Sequence, residues 1–520
     1  MPGPFSAACQ PSERPNQLSK RTEPIRSVKG TRDLLPRETA LWQRVEEEAR
    51  RVFAVYNYRE IRTPILEETE LFARSVGDDT DIVQKEMYTF EDKYFERPSV
   101  PSRDWIDELE RALEEGKIPP IRHNIFVVSE LKEGFKRWNE YIEKPSSQKT
   151  EESEREFDRL TLYLGVLGRS YLTLNMVSLR PEATASVVRA YIEHGLYNEG
   201  GIHKLYYMGA MFRRERPQKG RYRQFYQIGA EVLGTDHPAI DAEVLEMLTV
   251  FLECVGIGQY ALLVNSVGCP KCRREYVKVL RQALERVKTT LCADCQRRVN
   301  TNPLRVLDCK VEADQPVIEK LPKILDHLCP ECRQHFESVT AELKERGIPH
   351  QISPRLVRGL DYYTRTTFEI TSDVLGAQNA LLGGGRYDGL SELIGGPPTP
   401  GFGFAIGQDR LVLAVEAAGR LKSHAALAAY IAWMGDSALA PASRLARDLR
   451  REGLSVEIGY EPVKLKKSLG AANKLGARFA IIIGEGELAS GRFQVKDMET
   501  GQQEEVEPAQ IATYLKEKLR

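Results

Sequence analysis

Residues 211–234 read MFRRERPQKGRYRQFYQIGAEVLG, and no other segment limits so tightly what this chain can fold into. Six of its residues are Arg or Lys, interleaved with Phe212, Tyr222, Phe225 and Tyr226. Towards its end the residues alternate. Phe225, Gln227, Gly229 and Glu231 fall on one strand face, and Tyr226 and Ile228 on the other. The pattern predicts a hairpin whose first strand ends in Arg213-Arg214-Glu215-Arg216 and whose loop runs from Pro217 to Arg221. Guanidinium forks beside an aromatic platform suit a nucleotide, because Arg grips phosphate bidentately and stacks on bases. A solvated basic hairpin has the same composition, so the choice between the two rests on the rest of the chain.

At 520 residues the chain is too long for one core, and about 150 residues per domain implies about three or four. With 42% apolar and 29% charged residues it is ordinary globular material, not fibrous or disordered. A formal net charge of −1 excludes a generally basic nucleic-acid coat but not local basic patches. No stretch reaches the ~20 apolar residues of a membrane helix, and none near the start resembles a signal-peptide core. No membrane association and a cytoplasmic location are therefore expected.

Residues 1–26 are rich in Pro, Ser, Arg and Glu without an apolar period and read as a disordered extension. Glu13 and Glu23 argue against a transit peptide there. Leu41, Val45, Ala49, Val52, Phe53 and Tyr56 recur at helical spacing. The extended segment that follows, 58–65, contains Pro64, which places it at a strand end or sheet edge. Residues 96–170 break the rhythm, with a helix-like stretch at 105–113 and a polar run at 144–155, and read as an insertion in a region spanning 27–420. Residues 266–345, rich in cysteine, read as a second insertion in that region. From 425 to 520 the pattern changes to short apolar strands (425–434, 454–460, 479–484) alternating with helices (438–452, 463–475), a separate α/β module. No repeat of about 20–50 residues is evident.

The order of further segments decides what the hairpin is for. Gly30-Thr31-Arg32-Asp33 opens the part expected to be ordered, and Leu179-Arg180-Pro181-Glu182-Ala183-Thr184-Ala185 precedes the hairpin. Then come Leu356-Val357-Arg358-Gly359-Leu360-Asp361-Tyr362-Tyr363, Gly383-Gly384-Gly385-Arg386-Tyr387-Asp388, and Gly403-Phe404-Ala405-Ile406-Gly407-Gln408-Asp409-Arg410-Leu411. Together and in order, over most of residues 27–95 and 171–520, they resemble the histidyl-tRNA synthetase family of class II aminoacyl-tRNA synthetases. The resemblance implies an α+β protein. Its parts would be an antiparallel-sheet class II catalytic domain with insertions (27–420), a C-terminal α/β anticodon-binding domain (425–520), and a homodimer joined through the helix at 41–56 and the strand carrying Pro64. The implied reaction is ATP-dependent ligation of histidine to tRNA(His) through a histidyl-adenylate, with ATP entering as its Mg²⁺ complex.

The family's roles fall on matching residues. Arg213 and Arg358 would hold the α-phosphate from opposite sides and stabilise charge at the transferred phosphorus. Phe225 would stack on adenine, with Glu215 near its amino edge and Arg221 also on ATP, and Arg410 would grip the γ-phosphate. Glu182, Thr184 and Gln227 would receive the ammonium group of histidine, and Glu231, Tyr363 and Tyr387 its ring. An acidic Glu231 suits a ring N–H and would be left buried and unpaired by Phe or Tyr.

Two readings compete. A non-catalytic regulatory paralogue of histidine biosynthesis shares the fold but lacks the anticodon domain and tends to lose the phosphate arginines, whereas Arg213, Arg358 and Arg410 are all present here. Class II synthetases for proline, threonine or glycine are disfavoured by Glu231 and by the segment from Arg358 to Tyr363. The chain departs from the family in three places: Ala183 stands for the usual Gly, Asp409 for the usual Glu, and residues 96–170 have no counterpart.

Seven of the nine cysteines lie between residues 269 and 332. They form the C-x-x-C pairs Cys269/Cys272, Cys292/Cys295 and Cys329/Cys332, with Cys309 single. A disulfide scaffold belongs to small secreted domains, so a structural zinc is the candidate. Four thiolates complete a tetrahedral site, so two pairs suffice. Cys269, Cys272, Cys329 and Cys332 lie where the chain leaves and re-enters the catalytic region, and a zinc there would clamp the insertion at its root. Cys292 and Cys295 are then expected to be plain thiols. Buried free cysteines packing as small hydrophobes are the alternative throughout.

Overall fold

The computed structural model describes residues 24–77, 80, 82–91, 111, 128–145, 148–150, 152–155, 157–158, 176–218, 220–360, 362–372, 374, 379–420 and 427–519. The expected disordered extension lies outside these residues except for 24–26. Most of the insertion at 96–170, including nearly all of the helix-like stretch at 105–113, lies outside them too. The helix Val128–Glu143 is its longest described element.

The strands in chain order begin with β1 (Arg59–Glu60), β2 (Leu66–Glu68), β3 (Tyr88–Glu91) and β4 (Met176–Leu179). There follow β5 (His203–Phe212), β6 (Gln224–Leu233), β7 (Ala261–Ser266), β8 (Gln351–Ile352), β9 (Thr364–Thr371), β10 (Ala380–Arg386) and β11 (Gly401–Gly407). Eight of these form one sheet in the order β1-β5-β6-β11-β10-β9-β7-β8, antiparallel from β5 to β7 with a parallel pairing at each edge. Strand β1 stops short of Pro64 and occupies an edge, as a residue that cannot donate to a ladder requires. A small antiparallel sheet, β2-β4-β3, stands beside it. Arg180 joins the two, donating to the carbonyls of Thr63 and Ala210 at 2.9 and 3.0 Å.

The predicted hairpin is β5–β6, and its two faces have separate fates. Tyr226, Ile228, Ala230 and Val232 turn towards the helices Pro36–Val55 and Pro238–Cys254 and help to form the main core. Trp42 meets Tyr226 edge-on at 5.4 Å, and Phe53 is ringed by Tyr58, Tyr206, Phe251 and Phe404. A phenylalanine so enclosed contributes about 3–5 kcal/mol relative to alanine. The other face, with Phe225, Gln227, Gly229 and Glu231, is left for chemistry.

Between β7 and β8 the cysteine-rich stretch contains helices and turns but no strand. Its helices Pro270–Val287, Ala293–Thr301 and Pro330–Glu345 are joined by short 3₁₀ turns. The last helix buries Phe336, Val339 and Leu343 in the main core, whereas Tyr276, Leu280 and Leu284 pack in a cluster that includes Tyr362, Tyr363 and Tyr387.

The C-terminal module comprises β12 (Leu427–Trp433), β13 (Val456–Ile458), β14 (Ala477–Ile483), β15 (Phe493–Asp497) and β16 (Gln503–Val506), ordered β13-β12-β14-β15-β16. The first three neighbours are parallel, linked by the helices Leu439–Arg451 and Leu465–Lys474. Strands β15 and β16 form an antiparallel hairpin that residues 485–520 do not announce, since β16 is polar at all but its last position. Among the described residues no helix is long and apolar enough to cross a membrane.

Candidate active site

Register places a row of small residues across the sheet. Tyr207 on β5 is opposite Gly229 on β6, Gly229 opposite Ala405 on β11, Ala405 opposite Gly383 on β10, and Gly383 opposite Glu369 on β9. The next row on that face contains Glu231, Gly403, Gly385 and Thr367. The result is a trough with a glycine and alanine floor and long polar walls. Two of these glycines are sterically required. A Cβ on Gly403 would overlap the Glu231 carboxylate, and one on Gly383 would stand 2.5 Å from the Arg358 guanidinium.

Glu231 closes one end of the trough, completely buried. The Thr184 hydroxyl donates to one of its oxygens at 2.7 Å and the Tyr387 hydroxyl to the other at 2.5 Å. Burial pushes its carboxyl up to about 8, against the pull of those two hydroxyls. Tyr363 and Gln227 are also buried here, and Gln227 Oε1 has no partner. Tyr207 is buried here too, its hydroxyl beside Glu231 and Thr184; a lone strand tyrosine reads as core, so the sequence did not single it out. An unpartnered buried acceptor beside these groups marks a place for a ligand's donor.

Glu182 reaches the same place with a second duty. Its two carboxylate oxygens accept from the backbone N–H groups of Thr184 and Ala185, at 2.7 and 3.0 Å, capping the helix Thr184–Glu193. An ionised carboxylate offers about four lone-pair sites, so room for an ammonium remains. Ala183 in place of glycine is accommodated, since its φ is −116°.

The arginines line the other half. Arg213 Nε donates to the Pro181 carbonyl at 2.9 Å, and its guanidinium stands 5.3 Å from the Phe225 ring centre. Glu215 pairs with Arg221 and lies 3.7 Å from Arg213. Arg410, in the first turn of the helix Gln408–Ala418, has its basicity lowered by burial and then by nearby Arg221. Arg358 pairs with Glu369 at 2.5 Å. Glu369, which also faces Arg410, was not singled out from the sequence because a single Glu in a strand carries no signal. All the expected ATP and histidine residues thus fall on or beside one face of the sheet.

Two motif residues turn out to be supports. Arg386 is fully buried, paired with Asp241 and, at 2.9 Å, with Asp388. It fixes the end of β10, and so Tyr387 beside it, against the helix Pro238–Cys254. Asp409 accepts from the Tyr226 N–H at 3.2 Å and pairs with Arg32 at 3.2 Å. The shorter acid therefore ties the opening Gly30–Asp33 segment to the hairpin.

The cysteines form two groups. The thiols of Cys269, Cys272, Cys329 and Cys332 all lie within 4.8 Å of one another, with Cys269 Sγ and Cys272 Sγ 3.5 Å apart. The root pairing expected from sequence is thus sterically available. Cys292 and Cys295, expected to be plain thiols, gather with Cys309 and Asp314, again within 4.8 Å. Neither Cys309 nor Asp314 has C-x-x-C spacing, so only the fold reveals the group.

A family model described as histidyl-tRNA synthetase matches residues 159–411, and one described as an anticodon binding domain matches residues 428–518. A histidine–tRNA ligase of Koribacter versatilis is 48% identical over 497 residues, 95% of this chain and 96% of its own. One from Solibacter usitatus is 48% identical, covering 94% of this chain and 99% of its own. Among solved structures, apo histidyl-tRNA synthetase of S. aureus matches with a TM-score of 0.66 at 34% identity, covering 95% of this chain and 100% of that one.

Proposed function

The chain belongs to the histidyl-tRNA synthetase family and ligates histidine to tRNA, and from that premise we propose how its side chains share the reaction. Residues 27–420 activate histidine and residues 425–520 recognise the tRNA, with the work done in the cytoplasm. The observation that carries the site assignment is Glu231, buried at the end of a glycine-floored trough and held by two hydroxyls. An imidazole N–H donating to that carboxylate satisfies it, and Tyr363 and Tyr387 wall the ring. Glu182, Thr184 and Gln227 Oε1 accept the ammonium group. Phe225 stacks on adenine with Glu215 at its amino edge, and Arg221 and Arg410 hold the outer phosphates. Arg213 and Arg358 flank the α-phosphate.

A histidine carboxylate oxygen attacks that phosphorus in line. The new P–O bond makes the mixed anhydride, and the old one breaks to release pyrophosphate with its Mg²⁺. A terminal ribose hydroxyl of tRNA then attacks the activated carbonyl, and AMP leaves. No enzyme side chain is acylated, and the rate comes from positioning and charge stabilisation. The exposed apolar residues Val55 at the end of the first helix, Ile65 in the bend before β2 and Leu66 on β2 suit coverage by a second copy in a homodimer. Cys269, Cys272, Cys329 and Cys332 hold a structural zinc. Their spacing suits a tetrahedral thiolate site, whose edges are about 3.8 Å, and the ion supplies folding energy at the root of the insertion.

ATP–pyrophosphate exchange measured with each of the twenty amino acids tests the assignment. Histidine alone should support exchange; a response to proline or threonine, or none to any amino acid, would refute it. The terminal module makes a separate prediction. Lys464, Lys466, Lys467 and Lys474 are exposed along the helix Leu465–Lys474 and its N-cap, a basic surface suited to the anticodon. Truncation after Arg420 should leave exchange within a few-fold of the parent and abolish efficient tRNA charging. Full charging by the truncated protein would overturn that division of labour.

A further inference from the structure

We infer that this chain has a second structural zinc site, formed by Cys292, Cys295, Cys309 and Asp314. The argument begins with a repeated local structure. In each C-x-x-C pair the first cysteine is the N-cap of a helix in extended backbone, and the second lies in its first turn. In each, the first cysteine's carbonyl accepts the N–H four residues on, at 2.9 Å: Arg273 to Cys269, Gln296 to Cys292 and Arg333 to Cys329. These are three copies of one knuckle, and a knuckle supplies two ligands pointing the same way.

Two of the copies face each other. The third faces Cys309 and Asp314, and together they complete a set of four. Cys292 Sγ and Cys309 Sγ are 3.9 Å apart, close to the edge of a tetrahedron about a zinc, roughly 3.8 Å. Asp314 Oδ2 is 3.3 Å from Cys309 Sγ, and the four ligand atoms all lie within 4.8 Å of one another. Disulfides would use these thiols in pairs and leave the carboxylate out.

Asp314 is the independent observation. It is 1% exposed, deep in a cluster of thiols, and no Lys, Arg or His side chain forms an ion pair with it among the described residues. No cationic side chain completes this set of a buried carboxylate and three thiols among the described residues. A divalent soft cation does, and it deprotonates the thiols as it binds. The carboxylate is already aimed: the Cys292 N–H donates to Oδ1 at 3.0 Å and to Oδ2 at 3.2 Å. The Val311 N–H points to Cys309 Sγ at 3.4 Å, the kind of outer contact that steadies a ligating thiolate.

The site also has a job. Residues 302–327 contain only 3₁₀ turns and one four-residue helix, too little regular structure to order themselves. From this segment Arg305 donates to the Gly359 carbonyl at 2.6 Å, immediately after Arg358. Gln315, next to Asp314, donates to the Cys309 carbonyl at 2.7 Å and accepts from Arg355 at 2.7 Å. A zinc at this point holds the segment that braces the Arg358 loop.

Metal analysis of the full-length protein, purified without chelator, should find about two zinc ions per chain. Cys309→Ser should retain about one, and Cys269→Ser should also retain about one, because the sites are separate. Zinc-edge X-ray absorption of the parent should show a sulfur shell with a minority of oxygen, since seven thiolates and one carboxylate are shared between the two ions. This last measurement needs no variant, so a poorly folding Cys309→Ser does not blunt the test. An all-sulfur shell, or a zinc content unchanged by Cys309→Ser, would overturn the proposal while leaving the root site standing. Metal-free parent protein would overturn both.

Discussion

Glu231→Gln is expected to lower kcat/KM for histidine in the exchange reaction by about a thousandfold, the equivalent of ~4 kcal/mol in a buried charged contact. Glutamine keeps the shape of the side chain but can accept from only one of the Thr184 and Tyr387 hydroxyls, and it cannot carry a negative charge opposite the imidazole. The same substitution should stabilise the ligand-free fold at alkaline pH. Burial raises the folded-state value of Glu231 to about 8, whereas an unfolded glutamate ionises near ~4.3. Below the unfolded value both states hold the proton, and the group contributes no penalty. Between the two values only the unfolded state ionises, so stability falls as pH rises, by up to ~1.4 kcal/mol per unit, and the loss is complete above about 8. Glutamine escapes it. Thermal unfolding of both proteins well below and well above that window checks the sign, with the variant's advantage growing with pH. An advantage equal at both ends, or histidine use within ten-fold of the parent, would remove Glu231 from this role.

Arg358→Ala should slow histidyl-adenylate formation by about 10²–10³-fold, or ~3 kcal/mol, with histidine affinity changed only a few-fold. The asymmetry follows from position. Arg358 lies over Gly383 and beside Glu369, away from the carboxylate end of the trough, so its charge matters where charge develops on phosphorus. Arg358→His should not rescue the rate, because an imidazole cannot reproduce a guanidinium fork. Single-turnover adenylate formation separates rate from affinity. A rate within a few-fold of the parent would show that Arg358 serves only its ion pair. Removing Arg358 also leaves Glu369 facing Arg410 alone, so Glu369→Gln in both backgrounds separates loss of the arginine from release of the acid.

Much of this site was legible before any coordinates, for reasons particular to each residue. The faces of β6 followed from strand geometry: with a period of two, Phe225, Gln227, Gly229 and Glu231 must share a side. The residues expected to bind histidine and ATP came from ordered motifs resembling a known family, and the fold places them on or beside one face of the sheet. Other residues had no local signature. Tyr207 looks like any core tyrosine, and Glu369 like any strand acid. Arg386 stands in a glycine-rich motif, yet only its buried pairing with Asp241 shows it to be a support. The polar β16 reads as loop because an edge strand can leave most of its side chains in water.

The sequence by itself determined local matters: the first helix, the basic hairpin and its polar face, the alternating strands and helices of the terminal module, and, through its motifs, the family. Those depend on backbone periodicity and on residues near one another along the chain. Only the tertiary structure decided which distant groups meet. The Tyr387 hydroxyl reaches Glu231 through the registers of β6 with β11 and β11 with β10. The turns after Pro303 bring Cys309 and Asp314 to Cys292 and Cys295. Contacts of this kind follow from sheet register and helix packing summed over the whole core, and no window of sequence contains that sum.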